Sequence, residues 1–424
     1  MNMPASKFFD VIVIGAGHAG LSMSSTLSKH GISHVVFERG EIGNTWRTQR
    51  WDSFALNTPG IWNILPGEDC KDEAAEGFLL RDDVCNKLKR YAKKFQLPVY
   101  ENANITAVTK NTNEKYFNIS VQHYQAVEQY QCKQLVVATG ALNAAKTPSF
   151  GKNLSKDVYQ LHVKDYRNPG QLPQGAVLII GGGQSGCQVA EDIVAASKKV
   201  YLSTSRVGRV PRSYRGLDIL DWLSNKIPFY HALRSEITDP SIINAATPLV
   251  SGTGPAGHTL SLQSLHKQGV TLLGRLLNIE NDTLFFANDA EDNIRYGDEV
   301  SQKTKELVEE FISKENFPAQ QIEEDIADIP DEDLYSMQHI PCINCAEANI
   351  TSVIWTTGFT GDFSWLKLPA LNNAGKPIHE NGVSPINGLF FIGFPWLRSR
   401  KSGIIFGMQD DTAYIISQLL KTQE

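Results

Sequence analysis

The sequence predicts an α/β protein in which a domain of parallel-strand type is interrupted by a second domain of the same type, the second carrying a helical insertion. Three observations predict it. The stretch VIVIGAGHAG at residues 11–20 is a β-branched strand ending in a glycine-rich turn that opens a helix; VLIIGGGQSG at 177–186 repeats the design; and further apolar strands follow each. Two such turns so far apart are a repeat of a whole domain type and not a short solenoid period.

The elements follow in order. Phe9 to Ile14 is an apolar run suited to a strand buried on both faces, a helix follows from about Ala19 to His30, and ISHVVFE at 32–38 closes a βαβ unit. VCNKLKRYAKKF at 84–95 has helical spacing, and the stretches near 104–136 alternate as a β-meander ending in QLVVATG. RNPGQLPQG at 167–175 reads as a linker. The pattern then restarts with VLII, a helix through about Ala196, and the strand VYLST at 200–204. From 281 to about 339 the chain turns charged and helix-favouring, with KTKELVEEFISKE and QIEEDIADIPDED. Its Leu307, Val308, Phe311 and Ile312 share one face, as expected for a helical insertion packed on the second domain. ITSVIWTTGF, GLFFIGF and a helix from about Gly407 read as completion of the first domain by the returning chain. The expected domains are 1–168 with 340–424, and 169–339.

Composition excludes several classes. The 424 residues are 42% hydrophobic and 20% charged with a formal charge of −6, and no basic block suggests a nucleic-acid partner. No apolar run has the length of an integral membrane segment. MNMPASKFFD leaves no room for a signal peptide, so a cytoplasmic location is expected, where six cysteines are free thiols. No metal site is expected, and homodimerisation is left open.

The two turns carry the chemistry. Gly15, Gly17 and Gly20 satisfy G-x-G-x-x-G between strand and helix: the first glycine permits the turn, the second admits a pyrophosphate, the third lets helix and strand pack. This is the Rossmann-type fingerprint. Glu38, followed by Arg39, ends the next strand where a carboxylate can bind a ribose diol. Gly181, Gly183 and Gly186, with Gln184 and Ser185 at the helix start, repeat it, but Ser205 and Arg206 stand where the acid would be. Guanidinium binds a 2′-phosphate that a carboxylate would repel, so NADPH is expected over NADH. The plainer alternative is that Arg206, Arg209 and Arg212 form a solvated basic loop.

GHAGLSMSSTLSKHGISHVVFERGEIGNTWR, followed by RWDSFALNTP, resembles the N-terminal region of class B flavin-dependent monooxygenases, which include the flavin-containing monooxygenases and plant indole-pyruvate enzymes. The G-x-x-W-R element falls on Gly43, Trp46 and Arg47; the ATG element on Ala138, Thr139 and Gly140; its second-half counterpart TTGF on Thr356, Thr357, Gly358 and Phe359. QLHVKDYRNP resembles the family linker through His162 and Tyr166, but Val158 replaces a fingerprint glycine and Tyr166 a tryptophan, which weighs against a Baeyer–Villiger reaction.

The resemblance implies FAD on the first turn and NADPH on the second. It also implies a flavin C4a-hydroperoxide formed with O₂ that oxygenates a small nucleophile: an amine, a sulfide, an indole-like carbon or a ketone. By the same resemblance Asn57 is the candidate catalytic residue beside the flavin, and Trp46 and Arg47 lie along FAD. Trp51 and Trp62 are candidate pocket walls, His162 a candidate transmitter of domain rotation, and Arg398, Lys401, Ser402 and Gly403 a cover for the flavin. Three alternatives stay open: a disulfide reductase using Cys342 and Cys345, an NAD(P)H oxidase, and a non-enzymatic redox sensor regulating a transporter.

Overall fold

The computed structural model describes residues 7–69, 77–110, 115–250 and 257–422. In chain order it runs β1 (Phe8–Ile14), α1 (His18–Lys29), β2 (His34–Phe37), α2 (Arg81–Lys94), β3 (Val99–Tyr100), β4 (Ala103–Thr109), β5 (Phe117–His123) and β6 (Ala126–Val137). After it come β7 (Tyr159–His162), β8 (Ala176–Ile180), α3 (Gln184–Ala195), β9 (Val200–Ser203), α4 (Leu262–Lys267), β10 (Thr271–Leu273), β11 (Leu276–Glu280), β12 (Thr283–Phe286) and α5 (Ala290–Glu315). The chain ends with β13 (Cys342–Asn344), β14 (Ile350–Trp355), β15 (Leu389–Phe391) and α6 (Met408–Lys421).

The first sheet has the order β3-β2-β1-β6-β5-β4, with β15 against the C-terminal half of β6. Its parallel heart is β2-β1-β6, in register Val13↔Val36 and Val13↔Val136, and the last four residues of β1 are buried on both faces. That burial is why β1 is a continuous β-branched run instead of an alternating one. The second sheet, β7-β14-β8-β9-β10, is parallel throughout.

This topology corrects one expectation. ITSVIW does not complete the first domain: β14 lies inside the second sheet between β7 and β8, with Ile354 opposite both Leu161 and Ile179. Judged by sheet membership, the chain enters the second domain before Tyr159 and leaves it after Trp355, so residues 169 and 340 are not the crossing points. An apolar β-branched strand fits the interior of either parallel sheet, and its composition cannot choose. GLFFIGF and α6 do return to the first domain, where β15 pairs with β6 and α6 packs on α1.

The insertion is only partly helical. It opens with β12, which joins β11 and β13 in an antiparallel sheet, and only α5 is a long helix. Asn316 ends α5 in the left-handed region at φ 47°, and QIEEDIADIPDED forms no α-helix, only the start of a 3-10 turn at Glu332. Clustered carboxylates repel along a helix, and Pro330 removes a backbone donor. Val308 is buried, and Leu307, Phe311 and Ile312 pack against the cluster of Trp62, Ile219 and Trp222. Among the described residues no helix is long and apolar enough to cross a membrane.

Candidate functional site

The two glycine turns are near copies in backbone geometry. Gly15 has φ +102° and Gly181 +117°, while Gly17 and Gly183 cap their helices at φ −79° and −80°. A Cβ on Gly20 would sit 1.8 Å from the Gly15 carbonyl oxygen, and one on Gly186 1.9 Å from that of Gly181. The third glycine is thus demanded by helix-on-strand packing. At Gly17 and Gly183, by contrast, a Cβ would meet nothing within 4 Å. No protein atom requires glycine there, and the open space leaves room for a pyrophosphate to approach the backbone.

A cavity of about 710 Å³ opens at the first turn. Of the residues expected there, Gly15, Gly17, Glu38, Arg39, Trp46, Thr139, Gly140 and Gly403 line it. Gly20 lies beneath it as packing. Glu38 is 8% exposed and accepts from Ala16 N (2.8 Å) and Gly40 N (3.0 Å). Burial pushes its carboxyl pKa up, and those two amides oppose the shift.

Arg47 does not line the cavity; it stands on the surface with Nε 4.0 Å from Glu41. Arg50 takes the place expected for it, with its guanidinium 5.2 Å from the Trp46 ring and 5.5 Å from Phe54. Burial lowers its pKa to about 10. The helix of Trp46 ends at Thr48, and the bend that follows it turns Arg50 back onto the ring. His18 was also missed. It borders the cavity, yet its Nε2 is sealed from solvent and has no hydrogen-bond partner, and burial lowers its pKa to about 4. Thr139 Oγ1 is likewise unpartnered.

At the second turn, Gly182 N donates to Ser205 Oγ (3.3 Å), and Gln184 Oε1 accepts from Val250 N (3.1 Å). Ser185 is half-buried beside them. Arg206 is exposed and lies 4.3 Å over the Tyr296 ring. The solvated basic loop is refuted for its neighbours. Arg209 is buried in ion pairs with Asp298 and Asp328, and Arg212 is buried against Asp218. Thr356 Oγ1 donates to the carbonyls of Ile180 and Gly181, so the TTG element serves the second turn as ATG serves the first. Thr357 reaches the Lys146 carbonyl, and Gly358 mirrors Gly140 with φ +84° against +73°.

Several contacts join the two domains around the site. Arg212 Nη1 donates to the Asn57 carbonyl (3.0 Å). Tyr166 and Ser53 both donate to Asp192 of α3, at 2.5 and 2.7 Å. His162 Nδ1 accepts from Lys164 N (3.2 Å), so Nε2 carries the proton donated to the Gly358 carbonyl (3.0 Å). Asn57 does not line the first cavity. Trp51 is core, edge-on to Phe54, whereas Trp62 stacks on Phe406 at 4.5 Å. In the returning segment, Gly403 has φ +89° and packs against Phe394 and Pro395, and Ser402 Oγ donates to Asp411 (3.0 Å). Cys342 is exposed and Cys345 buried on or beside β13, and neither lines the cavity.

The family described as pyridine nucleotide-disulphide oxidoreductase matches residues 12–226, half of the chain. An uncharacterized CzcO-like oxidoreductase of Geobacillus kaustophilus is 29% identical over 414 residues, covering 97% of this chain and 98% of its own. Flavin-containing monooxygenase 5 of Mus musculus is 31% identical over 258 residues, 55% of this chain and 47% of its own. A solved flavin-containing monooxygenase from Stenotrophomonas maltophilia has the same fold, with TM-score 0.65 and 18% identity, and covers 99% of this chain and 100% of that one.

Proposed function

The chain belongs to the pyridine nucleotide-disulphide oxidoreductase family, and from that premise we propose that it is an NADPH-dependent FAD monooxygenase acting on a small nucleophilic substrate. The observation that carries this reading is the pairing of two identical turns with opposite polar ends. The amide of Ala16 is held by the Glu38 carboxylate, and the equivalent amide of Gly182 by the Ser205 hydroxyl, with the Arg206 guanidinium exposed beside it. One end suits a ribose diol and the other a 2′-phosphate.

The residues present fit a flavin dinucleotide at the first turn. Gly17 leaves its cradle open, and His18 and Thr139 stand in the cavity wall beside it. FAD bound there would supply electron acceptance from NADPH and activation of O₂. The protein orients and excludes water. Trp46 and Arg50 line the cavity together, and Gly403 and Pro395 bring the returning chain to it. Burial keeps His18 neutral near pH 7, so it adds no charge to the cavity wall. Asn57 lies at the domain junction with its carbonyl held by Arg212, and in this reading its side-chain amide would protect the activated oxygen.

The test is the ratio of product to NADPH in oxygenated buffer with a simple sulfide. Each turnover consumes one NADPH, one O₂ and one proton, and yields one sulfoxide, one NADP⁺ and one water. Close to one sulfoxide per NADPH is expected, with Asn57→Ala shifting the balance toward hydrogen peroxide. Peroxide alone with amines, sulfides, ketones and indoles would replace this reading by that of an NADPH oxidase.

A further inference from the structure

Segment 204–209, which follows β9, is fastened along α5 of the insertion. At its start Asn293 Nδ2 donates to Thr204 Oγ1 (3.1 Å), which itself donates to the Leu273 carbonyl (2.7 Å). At its end Asp298 Oδ1 accepts from Arg209 Nε (3.0 Å) and Nη2 (2.5 Å), and Asp328 closes on the same guanidinium. Between these anchors a Cβ on Gly208 would come 2.8 Å from a Val300 methyl, so the backbone there lies directly on the helix. The other side of the segment touches the glycine turn, where Gly182 N donates to Ser205 Oγ (3.3 Å).

Arg206 stands inside this frame, its guanidinium carbon 4.3 Å from the centre of the Tyr296 ring. The two arginines of the segment differ in what they face. Arg209 is buried and spent on two carboxylates, whereas Arg206 is exposed and pairs with no carboxylate among the described residues. Tyr296 is half-buried, so its ring is held by the helix that also anchors both ends of the segment.

A guanidinium laid on a ring keeps its N–H donors in its own plane, pointing outward from the edge, which is the geometry that paired hydrogen bonds to a phosphate need. A free arginine must be ordered when its anion arrives, and one already stacked loses less freedom. We propose that Tyr296 is a specificity-determining positioning residue: by holding Arg206 on its ring, it makes the insertion helix a partner of the second turn in preferring a 2′-phosphorylated nucleotide. The strand end supplies the guanidinium and α5 aims it. This rests on the reading of Arg206 as the 2′-phosphate ligand and is independent of which substrate is oxygenated.

The experiment measures binding of NADP⁺ and of NAD⁺ to the oxidised holoprotein by calorimetry, which requires no turnover. Tyr296→Leu should weaken NADP⁺ by about threefold and NAD⁺ by less than about 1.5-fold, the size expected of an exposed contact between a cation and a ring. Tyr296→Phe keeps the ring and should recover the NADP⁺ affinity, and Tyr296→Trp should match or exceed the parent protein. In the Arg206→Ala background, adding Tyr296→Leu should change neither affinity further, because the ring acts only through the guanidinium. Equal weakening of both nucleotides by Tyr296→Leu, or a threefold loss that persists without Arg206, overturns the proposal. Arg206→Ala separating the two nucleotides while Tyr296→Leu does not overturns the proposal alone. Arg206→Ala weakening both nucleotides alike removes the 2′-phosphate reading and this proposal with it.

Discussion

The turns at Gly15 and Gly181 share a backbone and differ in almost everything attached to it. Each has a first glycine with positive φ, a helix cap at the second and a third whose side chain would strike the first carbonyl. Yet Ala16 N is held by a buried carboxylate where Gly182 N is held by a hydroxyl, and His18 faces a cavity where Gln184 is tied to Val250. The difference teaches that glycine makes a dinucleotide turn, while the end of the following strand selects the dinucleotide.

The strongest way to break the comparison is to fill both third-glycine positions. Gly20→Ala puts a methyl 1.8 Å from the Gly15 oxygen and should yield protein without bound flavin; Gly186→Ala, at 1.9 Å from Gly181, should keep its flavin. In the latter, NADPH-driven flavin reduction should fall by about a hundredfold, from strain of about 3 kcal/mol at the second turn alone. Flavin absorbance and anaerobic reduction rates measure both. Loss of flavin in both variants would mean the two turns do not act separately.

A smaller effect sharpens the contrast between the polar ends. Arg206→Ala should raise the KM for NADPH by about tenfold and that for NADH by less than about twofold, since only the former has a 2′-phosphate to lose. Equal changes would remove Arg206 from that role and leave its stacking on Tyr296 as packing.

A third contrast, read in stability and not in turnover, comes from exchanging equivalent residues. His18 has its pKa lowered from 6.5 to about 4, so the folded state binds its proton less tightly than the unfolded chain. The linked stability is present above pH 6.5 and is lost as pH falls through 4. His18→Gln, which installs the residue of the second turn, should remove about 3 kcal/mol of this acid sensitivity. Melting curves of the flavin-free proteins at neutral pH and near pH 4 measure it; parallel losses in both would show that His18 is not the source.

Much of the site was legible because its sterics are local. A close approach within six residues demands glycine, and Glu38 or Arg206 stands at the end of the very next strand, so sequence distance and spatial distance agree. Arg50 reaches Trp46 only through the bend after the short helix, whereas the G-x-x-W-R element drew attention to Arg47, which faces solvent. Arg209 and Arg212 could not be told from solvated arginines, because their partners Asp298, Asp328 and Asp218 carry no mark of pairing in the sequence.

The sequence by itself determined two dinucleotide turns, their polar ends and the apolar face of α5. Tertiary structure alone decided that β14 belongs to the second sheet, that Arg209 and Arg212 are buried, and that Tyr230 pairs with Lys401 of the returning chain. The reason is physical. Turn geometry follows from steric contact within a few residues, but burial and charge compensation depend on which distant surfaces the hydrophobic core brings together.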